Sequence, residues 1–498
     1  MSRLLHETTS LCAVCMSAVK ARVVERGGEA WMEKSCEVHG PAEVRLSTDA
    51  AWYEATRGIS QIERAPSEVR VEVERGCPFD CGPCASHTQD VRLPVITITS
   101  ACNLDCPICY VHNKNDDAFH MTVEAFRSTL GHLVRAHGGE LDILNLTGGE
   151  PLLHPGLLEF LEIARELGVH RVTVCSNGLK LARDEALVAR LASLGARIAL
   201  SFDTFEAEAD LVLQGARLLD VKMRTLDILE RHGVDVTLIP VVTRGVNDHE
   251  IGRIVELGLA RSNVRHVEIH TMTYTGQSGR HFPRSGRVSM VEVLDLLSEQ
   301  TGGLLRRDDF LPSPCAHPLC YQIAYLLLDP EGGRPVPFTR FLSRETLRAC
   351  LSERLYLEPS RVLEEALQDA IAELWSRDDP GSQRVLGLLR RLIEEMFPRD
   401  RPVTREQALR AGERASKAVY VHSHMDEETF STERIAACCD SNCYADGRTI
   451  PVCAYNVLYR EREASFVLQP APWPARREGE MLLQIPPEDG RRRLQVLP

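Results

Sequence analysis

Residues 95–110 read Val95-Ile-Thr-Ile-Thr-Ser100-Ala-Cys102-Asn-Leu-Asp-Cys106-Pro-Ile-Cys109-Tyr110. A run rich in β-branched residues, the mark of a buried strand, leads straight into three cysteines spaced x3 and x2. The cysteines therefore stand at the C-terminal end of that strand. Three thiolates can hold three irons of a [4Fe-4S] cluster and leave the fourth iron open to a small ligand, whereas four ligands suit simple electron transfer.

The alternation that begins there continues along the chain. Further apolar runs lie at Ile143–Thr147, Val172–Ser176, Ile198–Phe202, Val236–Val242 and Val264–His270. Between them, apolar residues recur at helical spacing, as in Val123, Phe126, Leu130 and Leu133, or Leu157, Phe160, Leu161 and Ala164. Gly138, Gly168, Gly195 and Gly233 stand where four of these helices should stop. Six strands alternating with helices predict an α/β fold with a parallel sheet and right-handed crossovers. Six units fit an open, partial (β/α)6 barrel, and the periodicity equally allows a doubly wound sheet. In both, ligands bind at the C-terminal strand ends. The second strand ends in Thr147-Gly148-Gly149-Glu150-Pro151 and the third in Cys175-Ser176-Asn177-Gly178. The paired glycines let backbone approach a ligand, and Glu150 can pair with an amino group.

The chain of 498 residues is 44% hydrophobic and 26% charged, an ordinary globular composition with room for about three domains. A net charge of −13 argues against non-specific nucleic-acid binding. No apolar signal region follows Met1, which predicts a cytoplasmic protein, and the longest apolar stretch, Ile323–Leu328, is far too short to cross a bilayer.

Seventeen cysteines remain to be explained, and they are grouped. In a reducing compartment such groups read as metal ligands. Cys12, Cys15, Cys36 and His39 have the spacing of a closed, tetrahedral structural site in a zinc-ribbon or rubredoxin-like module, with zinc the first choice and a mononuclear iron the second. Cys77, Cys81 and Cys84 repeat the x3, x2 spacing. Too few residues separate them from the first strand for a crossover helix, so they read as an auxiliary iron–sulfur cluster, or alternatively as a zinc site sharing His87. Cys315 and Cys320 can join Cys453 and one of Cys438, Cys439 or Cys443 around a third cluster; unligated thiols are the alternative. Cys175 and Cys350 read as small buried hydrophobes, and His317, His422 and His424 as surface residues by default. The resulting organisation is an N-terminal module (1–60), an auxiliary cluster segment (61–92), the barrel (93–280), a mixed, mainly helical C-terminal cluster-binding and substrate region (281–468) and a poorly ordered tail (469–498).

Cys102-x3-Cys106-x2-Cys109, followed by Gly148-Gly149-Glu150-Pro151 after the next strand, resembles the radical S-adenosylmethionine (SAM) superfamily. That family often has an aromatic residue just before the third cysteine; here it is Ile108, with Tyr110 after. The resemblance implies that the open iron binds the amino and carboxylate groups of SAM. Gly148, Gly149, Glu150 and Pro151 would lie at the amino group, and Ser176 and Asn177 near the ribose or carboxylate. One electron would then cleave SAM to methionine and a 5′-deoxyadenosyl radical that abstracts hydrogen from substrate.

Four stretches sharpen the likeness: Leu11-Cys12 to His39-Gly40, Gly76–Cys84, Pro314–Cys320 and Ile450–Asn456. Over residues 8 to 460 the chain resembles a subgroup containing archaeal proteins first described as pterin-type methyltransferases, together with tetraether lipid synthases. By that likeness the C-terminal region covers the barrel mouth, with Arg448 and Met425-Asp426 expected at the pocket. The first expectation is carbon–carbon bond formation on lipid hydrocarbon chains, with peripheral membrane contact and a ferredoxin, flavodoxin or other reductase as electron donor. The alternatives are a methyltransferase acting on a pterin-like molecule and a non-catalytic electron-transfer protein. A lipid substrate predicts a large apolar tunnel reaching Cys109, and a pterin predicts a small polar pocket. The 5% aromatic content favours the aliphatic pocket.

Overall fold

The computed structural model describes residues 2–111, 118–351, 356–377 and 379–460; the tail expected to be poorly ordered lies outside these residues. Strands β1 (Arg3–Leu11), β2 (Ala18–Arg26), β3 (Glu29–Cys36) and β4 (Gly40–Ser47) form an antiparallel sheet in chain order. Its apolar face, Ala21, Val23, Met32 and Val44, packs against Tyr53 of the helix Ala50–Arg57. That helix starts where the Asp49 carboxylate accepts a hydrogen bond from Trp52 N at 2.9 Å.

The six expected strands all form: β5 (Leu93–Thr99), β6 (Leu141–Gly148), β7 (Val169–Ser176), β8 (Arg197–Ser201), β9 (Val236–Ile239) with its continuation β10 (Val241–Val242), and β11 (Val264–Thr271). Pro240, which has no N–H to donate, interrupts the ladder between β9 and β10. Parallel pairing runs β5-β6-β7-β8-β9-β11. A doubly wound sheet must reverse its strand order at a switch point. This order never reverses, so the partial barrel is the correct one of the two readings. Gly138, Gly168, Gly195 and Gly233 all have positive φ, as helix-stopping glycines should. The helices close over the outside of the sheet; Phe126 and Phe160 stack with centroids 4.3 Å apart.

The C-terminal region extends this sheet at both edges. Ser416–His422 pairs in parallel with β11, and Tyr321–Leu327, buried along its whole length, pairs antiparallel to Ser416–His422. At the other edge Asp440–Cys443 pairs in parallel with β5. Helices Arg361–Trp375, Pro380–Met396 and Arg405–Ala415 bury Leu367, Leu389 and Ala411 in a second apolar core beside the barrel. Beneath the barrel, Asp235 and Glu413 are ringed by Arg171, Arg197, Arg265 and Arg410.

Candidate active site and metal centres

The three strand-end motifs meet at one cavity of about 410 Å³, lined by Cys102, Cys106, Cys109, Gly148, Gly149, Glu150, Ser176 and Asn177 among others. The paired glycines make a close approach, but to the protein itself. A Cβ on Gly148 would stand 2.0 Å from Thr99 O, and one on Gly149 would stand 2.3 Å from Ala101 O. Gly149 N donates to Thr99 O at 2.8 Å and Glu150 N to Ala101 O at 2.7 Å. The end of β6 is thereby clamped to the backbone that leads into Cys102.

Glu150 ties in the third strand. Its Oε2 accepts from Asn177 N at 2.7 Å and its Oε1 from Leu152 N at 3.1 Å, at the start of the short turn opened by Pro151. Asn177 Nδ2 donates to Asn103 Oδ1 at 2.7 Å, inside the cysteine loop, while Ser176 Oγ accepts from Gly178 N at 2.9 Å. Burial raises the Glu150 carboxyl above its usual range against the pull of these N–H groups.

The cysteines are equally enclosed. Burial, with the nearby Glu150 charge, pushes Cys102 up to about 12, and burial drives Cys106 and Cys109 up as well. Cys102 and Cys109 also raise Cys106, so the three thiols share one neighbourhood. Such a set has soft donors in one small enclosure, where Lys222 acts on Cys106 and Arg460 on Cys109 but burial outweighs both. Iron supplies the positive charge that makes thiolates, so the donor set fits a [4Fe-4S] cluster held by three cysteines. Composition and motif reading missed Lys222, a buried lysine whose Nζ donates to Ser201 O at 2.6 Å and Ser201 Oγ at 2.8 Å and whose charge acts on Cys106. A lysine in register with Leu226 and Leu229 on the apolar face of the helix Leu219–Arg231 was the available signal.

The four ligands of the N-terminal site are closely gathered. Sγ of Cys12 lies 3.6 Å from His39 Nδ1, Sγ of Cys36 also 3.6 Å from it, and Sγ of Cys15 lies 3.8 Å from that of Cys36. Zinc–thiolate bonds of about 2.3 Å imply a tetrahedral edge of about 3.8 Å. The four ligands therefore fit zinc.

Cys77, Cys81 and Cys84 also share one neighbourhood: burial raises Cys77 and Cys81, and the charge of Cys84 adds to both. His87 Nε2 meets Cys438 O at 2.9 Å. Cys315, Cys320, Cys438, Cys439 and Cys453 gather near Arg434, whose Nε and Nη2 both donate to Cys320 Sγ at 3.4 Å. Cys443 departs from the expected group. It belongs to the barrel core, because alternation along Asp440–Cys443 turns it to the far face of the strand.

Two further expectations fail. Arg448 pairs with Asp446 and Asp426 with Arg287 at 2.6 Å, and none of Arg448, Met425 and Asp426 is among the cavity-lining residues. His317, His422 and His424 are not surface residues: His317 and His422 are each 4% exposed, and burial pulls His422 down to about 4 and His424 well below its usual range. Cys350 is buried in the second core, as expected, whereas Cys175 faces the cavity. Asp440 and Asn442, two residues apart on one strand, face it as well. Burial pushes the Asp440 carboxyl up to about 8.

Residues 96–258 match the radical SAM superfamily, and residues 4–48 match the N-terminal zinc ribbon domain of HMPTM proteins. Over 504 aligned positions the chain is 27% identical to a 7,8-dihydro-6-hydroxymethylpterin dimethyltransferase of Methanocaldococcus jannaschii, covering 94% of this chain and 96% of that one. It is 26% identical to a GTP 3′,8-cyclase of Synechocystis over 41% of this chain and 61% of the relative, so that match spans less than two thirds of the relative. Among solved structures, Streptococcus suis SuiB bound to S-adenosylmethionine aligns with a TM-score of 0.35 and 16% identity over 43% of this chain and 47% of that chain.

Proposed function

We propose that this radical SAM enzyme methylates a pterin-like small molecule. The observation that carries the reading is a pair of buried, unpartnered groups aimed into the cavity: Asp440 Oδ1 and Asn442 Nδ2. A pterin presents along one edge of its pyrimidinone ring an amino group, a ring N–H and a carbonyl oxygen. Asp440 Oδ1 supplies an acceptor for one of the first two and Asn442 Nδ2 a donor for the third. A hydrocarbon chain would leave both groups unsatisfied, at about 1–3 kcal/mol each. Four of the chain's ten tyrosines, Tyr110, Tyr321, Tyr356 and Tyr420, line the same cavity and give its wall aromatic surface. The near full-length likeness to a pterin dimethyltransferase supports this reading over lipid coupling.

Cys102, Cys106 and Cys109 would hold the [4Fe-4S] cluster, which when bound and reduced supplies the electron that cleaves SAM to the 5′-deoxyadenosyl radical. The chain's own part is positional. Gly148 and Gly149 fix the cysteine loop against β6, and Glu150, Ser176 and Asn177 hold the rim at which the SAM methionine group would sit. Cys77, Cys81 and Cys84 would carry an auxiliary cluster, and Cys315, Cys320, Cys438, Cys439 and Cys453 supply the thiols for another. The electrons would come from a ferredoxin or flavodoxin type donor. No described helix is long and apolar enough to cross a membrane.

The test is a product assay. The full chain, reconstituted with iron and sulfide without oxygen and reduced, receives SAM with either a reduced hydroxymethylpterin or a lipid extract, and products are followed by mass spectrometry. The expected result is a methylated pterin with deoxyadenosine and methionine from one SAM and S-adenosylhomocysteine from a second SAM that gives up its methyl group. Asp440→Asn and Asn442→Ala should raise KM for the pterin more than they lower kcat. Joined lipid chains that have lost two hydrogens, with the pterin unchanged, would return the function to chain coupling.

A further inference from the structure

We propose that His270, His422 and His424 form a binding site for a divalent transition cation of the zinc class, set in the cavity wall and bordering the C-terminal thiol group, where Cys453 Sγ lies 3.6 Å from His424 Nδ1. Their ligand nitrogens all lie within 4.8 Å of one another. The juxtaposition is a product of the sheet. β11 pairs in parallel with Ser416–His422 so that His270 stands opposite His422, and two residues further on His424 joins them. Ring centroids are 4.0 Å apart for His422 and His424, 5.0 Å for His270 and His422, and 5.5 Å for His270 and His424. The ring planes are inclined by 51° to 79°, so the three do not stack on one another, and inclined rings can turn their nitrogens to a common point.

Three details resemble the surroundings of metal-bound imidazoles. Glu268 Oε1 lies 3.0 Å from His270 Nε2, placing a carboxylate behind the group. Tyr321 stacks on His422 at 3.7 Å and fixes its ring. His422 Nδ1 is buried with no hydrogen-bond partner, although Glu268 Oε1 stands 3.5 Å away. His422 Nδ1 turns toward that carboxylate, which takes the proton side of the imidazole and leaves the other ring nitrogen's lone pair for a cation. Neutral nitrogen donors with a hard carboxylate behind them suit zinc, and differ in kind from the thiol groups that suit iron–sulfur clusters. All three histidines line the cavity, so a cation held there would present an open position to whatever oxygen or nitrogen the substrate carries. This geometry is the same whether or not the cavity takes a pterin.

The test uses the full-length chain, reconstituted with iron and sulfide without oxygen, equilibrated with zinc(II) and desalted. Bound metals are counted by mass spectrometry and the zinc environment read by X-ray absorption. The expected result is two zinc ions per chain, one mainly thiolate-bound at the N-terminal module and one mainly imidazole-bound. His424→Ala and His422→Gln should each remove the imidazole-bound ion and leave the iron content unchanged. A single, thiolate-bound zinc in the unaltered chain would overturn the proposal without recourse to any variant. So would histidine variants that keep both zinc ions, or a His424→Ala chain that loses iron instead of zinc, which would place that histidine on an iron–sulfur cluster.

Discussion

Gly149→Ala separates two roles for the paired glycines. If they exist to let a ligand approach, a methyl group there obstructs SAM and leaves the cysteine loop alone. The geometry argues otherwise. The new Cβ would stand 2.3 Å from Ala101 O and 2.7 Å from Ser100 O, where 3.4 Å is the near limit of ordinary contact. All the atoms concerned are backbone, so no side chain can swing away, and the loop into Cys102 must retreat by about 1 Å. That retreat breaks or lengthens the 2.8 Å bond from Gly149 N to Thr99 O and the 2.7 Å bond from Glu150 N to Ala101 O. Two such bonds at about 1 kcal/mol each, with about 1–3 kcal/mol of overpacking, give a loss of about 3–5 kcal/mol at this corner of the barrel. A displacement of about 1 Å in a reacting group commonly costs on the order of a hundredfold in rate. The assay is iron content and cluster spectrum after reconstitution, followed by deoxyadenosine formation at saturating SAM. We expect reduced or altered cluster occupancy and a rate about a hundredfold lower. A variant with full cluster occupancy, an unchanged maximal rate and only a raised KM for SAM would refute the clamp and restore the ligand-approach reading.

Three further outcomes follow from the same structure. Cys106→Ala should abolish deoxyadenosine formation, whereas Cys77→Ala should spare it and stop substrate turnover; chromatography of the two products separates the cases. Stripping the N-terminal metal with a chelator should lower the melting temperature more than it lowers the initial rate of SAM cleavage, because Cys12, Cys15, Cys36 and His39 lie in a separate four-stranded sheet. Glu413→Gln should cost about 3 kcal/mol, measured by denaturant unfolding, because it leaves the buried Arg171 and Arg197 short of their shared counter-charge. Burial pushes Asp235 and Glu413 up, but Arg197 and the other surrounding arginines hold both below the usual carboxylate range, so their stabilisation is complete above that range and is lost as pH falls through the folded-state values. The acid limb of the stability profile should therefore flatten in the variant.

Much of the barrel was legible because it is written in local rules. β-Branched runs, helical apolar spacing and glycines at positive φ each act over a few residues, and all six strands and four helix stops fell where they pointed. The N-terminal metal site was legible for the same reason, since Cys12 with Cys15 and Cys36 with His39 need only two short turns brought together by adjacent strands. The cysteine triplet and the glycine pair were visible as motifs, but the function of the glycines was not. Only the register of β5 against β6 shows that they press on Thr99 and Ala101.

What the sequence determined by itself is the set of elements, the end of the sheet where chemistry can occur and the donor types present. What the tertiary structure decided is which distant residues meet. Strand order chose the barrel over the doubly wound sheet. Parallel pairing across some 150 residues of chain set His270 opposite His422, and a strand added to the far edge turned Asp440 and Asn442 inward while sending Cys443 to the core. Pairing partners are selected by burial and by hydrogen bonds summed over the whole sheet, and no local spacing of residues carries that sum.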